Sequence, residues 1–153
     1  MANSSDAIKF EGQTQKVKND LAEVLDAGHQ VSAHFPAIDT AATTFDQAVF
    51  VADRTYTVTA VEVLFDDAVT GAETNNFGLR LRNKGTTAAG TDDIATKTYE
   101  DGVDAAKHVN SALTLDADEV TVADGEALCL QRFVNGTGMT SPAGVVTISY
   151  KAG

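Results

Sequence analysis

Three histidines, one cysteine and several adjacent carboxylates are the residues of this chain whose types could support catalysis or metal binding. His29 and His34 are separated by an odd spacing, which in a strand puts them on opposite faces. Sharing a metal would then need a bulge, or one histidine repeated around a threefold axis, so His29, His34 and His108 read as edge or surface residues. Asp66-Asp67, Asp92-Asp93 and Glu100-Asp101 could build a calcium site or the carboxylate pair of a glycosidase. None has the Asp-x-Asp-x-Asp-Gly spacing of a calcium loop. Adjacent acids on loops are expected where Asp and Glu total 22, and sugar hydrolysis would want aromatic platforms in a chain with no Trp and three Tyr. Cys129 lies inside an apolar alternation, as a strand residue does. There is no Gly-x-Ser-x-Gly elbow and no phosphate-cradling glycine motif; Gly136-Thr137-Gly138 lacks a helical stripe behind it and reads as a turn. The expectation is a chain that is not an enzyme, with no catalytic residue, no cofactor and no metal.

One local basic cluster remains in the second half. Arg80, Arg82 and Lys84 alternate along one segment, with Arg132 elsewhere. The plain reading is an edge or exposed strand protected by charge. The functional reading is a strip that meets an acidic partner or a neighbouring copy. Elsewhere acids dominate: 22 Asp and Glu against 11 Lys and Arg give a net charge of −11. That charge favours solubility and disfavours nucleic acid and anionic membranes as partners. A saline habitat would select for the same charge. The first residues lack the basic and apolar parts of a signal peptide, and no apolar run approaches a membrane span, so synthesis in a cytoplasm without export by that route is expected.

The elements that would position these residues are mostly strands. Residues 1 to about 15 are polar and small, with Ile8 and Phe10 as isolated apolar anchors, and read as an arm. Val17, Leu21, Val24 and Leu25 form a helical stripe with Gly28 as a stop, which predicts a short helix over 15–27. After Gly28 the period becomes two. Val31, Ala33 and Phe35 alternate with polar residues, Phe45 to Val51 is a second strand, and Thr55 to Phe65 is the clearest. There Tyr56, Val58 and Ala60 share a face before the phase slips to Val61, Val63 and Phe65, the pattern of a β-bulge. Further strands are expected at Phe77–Arg82, Ile94–Tyr99, Leu113–Leu115, Val120–Val122, around Leu128–Val134 and at Val146–Tyr150. Eight or nine short strands with turn signals between them predict a mainly β chain: a jelly-roll-like antiparallel β-sandwich over 29–153, preceded over 1–28 by an N-terminal arm and one short helix.

The stretch from Thr55 to Tyr150 resembles the small β-sandwich decoration, or cement, proteins of tailed-phage heads, including head-fibre-type proteins. The residues that carry the resemblance are the strand Tyr56-Thr57-Val58-Thr59-Ala60-Val61-Glu62-Val63-Leu64-Phe65, the Thr-Gly-Ala-Glu-Thr-Asn-Asn loop at 70–76, and Phe77-Gly78-Leu79-Arg80-Leu81-Arg82-Asn83-Lys84-Gly85. The Val-Ala-Asp-Gly-Glu-Ala-Leu-Cys-Leu segment at 122–130 and Pro142-Ala143-Gly144-Val145-Val146-Thr147-Ile148 complete it. The resemblance implies a non-enzymatic bacteriophage virion protein, a homotrimer on the outer capsid surface at threefold or quasi-threefold positions, with the major capsid protein as partner. It supplies no catalytic residue. Candidate contacts to the capsid or between subunits are Ile8, Phe10, Arg80, Arg82 and Lys84. The alternatives are a receptor- or carbohydrate-binding sandwich of a phage tail or fibre, and a small hydrolase or calcium-dependent enzyme using loop carboxylates.

Overall fold

The computed structural model describes residues 28–153, so the expected arm, the helix over 15–27 and the anchors Ile8 and Phe10 lie outside the described residues. Ten strands follow in chain order: β1 His29–Phe35, β2 Phe45–Val51, β3 Tyr56–Phe65, β4 Asn76–Asn83, β5 Asp92–Thr98, β6 Ser111–Ala112, β7 Thr114–Leu115, β8 Thr121–Val122, β9 Ala127–Asn135 and β10 Gly144–Ala152. They form two antiparallel sheets. Sheet one runs β1-β10-β3-β6, with β8 also paired to β3; sheet two runs β2-β9-β4-β5-β7. Only β4 and β5 are consecutive strands within one sheet. Every other connection crosses between sheets, so each face of the core receives strands from distant parts of the sequence. The chain is a mainly β, jelly-roll-like sandwich.

Alternation places one residue in two on the core. Val61, Val63, Phe65, Val146 and Ile148 from sheet one meet Phe77, Leu79, Leu81, Leu128 and Leu130 from sheet two, all within 1% of complete burial. Phe65 packs edge-on to both Phe77 and Tyr99, giving the core an aromatic centre. The expected phase slip in β3 is present one residue earlier than the apolar pattern suggests. Ala60 pairs with Ser149 and Val58 with Tyr150, which leaves Thr59 as the extra residue. Tyr56 and Val58 therefore point inward together with Val61, Val63 and Phe65, while Ala60 turns partly outward.

The segments that carried the sequence resemblance bond to one another at one end of the sandwich, and at the other the 70–76 loop bonds to the turn at 135–137. At one end, Asn83 donates to the Glu126 carboxylate at 2.7 Å, which also accepts from the backbone of Ala123 at 2.8 Å. The intervening Gly125 has φ 81°, a conformation glycine adopts without steric penalty. Asn83 in turn accepts from the Gly85 N–H at 2.8 Å. At the other end, Asn135 donates to the Asn76 side chain at 2.7 Å, and Asn75 accepts from the Thr137 N–H at 2.9 Å. Gly71 is pressed there against backbone: a Cβ would lie 1.8 Å from the Glu100 carbonyl oxygen. The Asn135-Gly136-Thr137 turn is present, and it leads from sheet two to sheet one without closing a hairpin.

Candidate interaction surfaces

On sheet two, outward positions of β2, β9, β4 and β5 are brought side by side by register. Gln131 lies between Asp46 and Arg80, and Arg82 lies opposite Asp93. Their side chains form one continuous polar chain. Asp46 accepts from the Gln131 amide at 2.7 Å, and Gln131 accepts from Arg80 Nε at 2.9 Å. Arg80 reaches Asp93 at 3.5 Å, and Arg82 grips the same carboxylate with two bonds of 2.6 and 3.0 Å. Lys84 Nζ lies 3.4 Å from Asp46 and closes the chain. Two-pronged guanidinium–carboxylate pairs are the stronger kind of ion pair, and this one keeps only 15% of the Arg82 side chain exposed. The Asp93 hydrogen bond holds the Arg82 guanidinium more firmly protonated than usual. The Arg80 guanidinium also lies 5.2 Å from the centre of the Phe133 ring. That ring lies against Gly78, where a Cβ would come within 2.1 Å of it.

This arrangement corrects the edge-strand reading of Arg80, Arg82 and Lys84. β4 is the central strand of its sheet, and each of the three cations is paired inside the chain, Arg80 and Arg82 with Asp93 and Lys84 with Asp46. The pair Asp92-Asp93 is divided by this network, since Asp93 serves the arginines. Cys129 lies on the same face opposite Arg82 and Ala48, and burial followed by the nearby Asp46 pushes its thiol pKa up, away from the reactive thiolate. His29 packs near Tyr150 at the start of β1, His34 is on the opposite face of that strand, and His108 sits in a loop at φ 56°. Among the described residues no group of three His, Cys, Asp or Glu is placed to hold a metal ion.

The basic residue that the sequence reading set aside proves the most enclosed. Arg132 is 1% exposed and points into the sandwich, in phase with Leu128 and Leu130. It donates to Ser141 Oγ at 3.0 Å and to the carbonyls of Thr43 and Met139, and its guanidinium lies 4.8 Å from the centre of the Phe77 ring. No carboxylate is among these partners, and burial lowers its pKa from the ordinary arginine value. Its effect is to tie the loops around 39–44 and 139–141 to β9, beside the Ile38–Ser141 bridge. Period-two phase along β9 was the available signal. The surface offers open depressions of about 340 Å³ between Ile38, Val69 and Ser141, and about 350 Å³ between Phe45, Arg80 and Phe133.

No family model and no curated protein sequence matches the chain. Among solved structures it is similar to a chain of the cyanophage Pam1 capsid asymmetric unit, with 18% identity, TM-score 0.47 and 83% of this chain covered against 84% of that one. It is also similar to the VP2 subviral particle of infectious bursal disease virus, with 9% identity and TM-score 0.40. A further likeness is to the Gx strain of that virus, with 10% identity and TM-score 0.39. The match spans 84% and 83% of this chain but only 34% and 32% of those two chains.

Proposed function

We infer that this chain is a structural protein of a tailed-virus capsid, decorating and stabilising its outer surface as a homotrimer at threefold or quasi-threefold sites, with the major capsid protein as its partner. The observation that carries the reading is the interlocking of the resembling segments. The strand at 56–65, the loop at 70–76, the strand at 77–85, the turn at 122–130 and the strand from 142 onward are the middle strands of both sheets and the turns that bond them together. The resemblance thus belongs to the load-carrying framework of the domain. A capsid-stabilising protein needs such a framework, because many copies must transmit modest contact forces without deforming. The polar chain of sheet two fits that requirement, and its cations are the residues available to a partner that replaces Asp46 or Asp93 in their coordination.

Copy number in purified virions tests the role: the protein should be present stoichiometrically with the major capsid protein, and trace or no presence overturns it. Sedimentation with expanded capsids tests attachment, and a chain that remains in the supernatant rejects it. The mass in solution tests the trimer.

A further inference from the structure

We propose that β1, whose outer side no other described strand pairs, is an edge through which two copies of this chain join, antiparallel, about a twofold axis at Ser32. Four edges of the described sandwich are guarded in ways that hinder strand addition. β6, β7 and β8 are only two residues long. β2 carries Asp46 and a bulge between Ala48 and Phe50. β1 has none of these guards. It runs seven residues, His29–Phe35, in unbroken register with β10, with no Asp, Glu, Lys, Arg or Pro.

Its outward backbone groups can be identified. The His34 carbonyl accepts from the Gln47 side chain at 2.7 Å, on the side away from β10. In an antiparallel ladder alternate residues turn both backbone groups the same way, so Gln30, Ser32 and His34 present N–H and C=O outward. The strand is also self-complementary about Ser32. Turned upon itself, Gln30 faces His34 of the second copy, Val31 faces Ala33, and Ser32 faces Ser32, so no like charges meet at neutral pH. The outward groups then exchange bonds in the pairs 30–34, 32–32 and 34–30.

Charge favours a second copy at this edge over an approach from the ends. Among the strands only Asp46, Glu62, Asp92 and Asp93 are acidic, and the other acids of the described residues lie in the loops. Gln47 is the one side chain that competes for the edge, since its amide holds the His34 carbonyl.

Sedimentation of the full chain across a concentration series, at pH 8 in moderate salt, tests the proposal. A monomer should double in mass as concentration rises, and an oligomer that carries several β1 edges should at least double. Ser32→Lys puts two cations face to face, and Ser32→Pro removes an outward N–H, each also losing the exposed bond to Thr147; each should weaken the pairing by about tenfold or more. Gln47→Ala should strengthen it. Thermal melting of the variants should match wild type, and amide exchange at Gln30, Ser32 and His34 should slow with concentration. A wild-type mass that never doubles, or Ser32 variants that double as readily as wild type, overturns the proposal; so does concentration-independent exchange at these three amides. None of these readouts involves a capsid, so they are independent of the decoration role.

Discussion

The outer faces of the two sheets cover the same core with different chemistry. On sheet two, Asp46, Gln131, Arg80, Asp93 and Arg82 form a chain in which each member holds the next. On sheet one the contacts are isolated exposed pairs between short side chains, Gln30 with Ser149 at 3.1 Å and Ser32 with Thr147 at 2.9 Å. A half-buried network loses several bonds when one member is removed, whereas water replaces a lost exposed pair at little cost. The difference teaches that charge in this domain is spent on holding sheet two together, and that sheet one is left smooth and replaceable. Arg132 is the extreme of the first kind, a cation drawn wholly inside and satisfied by neutral oxygens.

The comparison can be broken most forcefully at Arg132. Arg132→Leu takes the donor from Ser141 and from the half-buried carbonyls of Thr43 and Met139, and should lower stability by about 2 kcal/mol in urea unfolding. Alkaline pH tests the seam between the sheets. Burial pushes the Tyr99 phenol up to about 12, only partly offset by its bond to Ser111 at 3.3 Å. The folded state therefore keeps a proton that the unfolded chain releases near pH 10. Tyr99's contribution is intact below that pH and is lost as pH rises toward about 12. Tyr99→Phe should flatten the fall in stability over that window. Gly78→Ala drives a methyl group into the Phe133 ring and to 2.8 Å from the Lys97 carbonyl oxygen, and should destabilise by about 1–3 kcal/mol, with part of it recovered when Phe133 is also truncated to Ala.

Smaller effects sharpen the contrast between the faces. Asp93→Ala frees both arginines and should cost about 1 kcal/mol, less in high salt because the carboxylate is about one-third exposed. Thr147→Val on sheet one should change stability by no more than about 0.5 kcal/mol. If Asp93→Ala and Thr147→Val proved equal in unfolding measurements, the distinction between the faces would fail.

Much of the strand pattern was legible because alternation is written residue by residue. β1, β2 and β3 begin and end within one residue of their expected limits, and the bulge in β3 showed as a broken phase, displaced from Ala60 to Thr59. The surfaces were less legible. Arg80 and Arg82 looked like an exposed basic strip, because their alternation identifies a face but carries no information about what lies on the adjacent strands. Asp93, Gln131 and Asp46 come from three other segments of the chain. Arg132 shows the converse: its phase along β9 points inward, although arginine is ordinarily a surface residue.

What the sequence determined by itself was local: which segments are strands, which face of each is apolar, and where glycines such as Gly125 turn the chain. Strand order was decided only in the tertiary structure. β4 became a central strand, Asp93 became the counter-ion of two arginines, and β1 was left as a long uncharged edge. The physical reason is that alternation depends on backbone geometry within a few residues. Pairing partners depend on which distant strands bury their apolar faces together, and the outward residues inherit their neighbours from that choice.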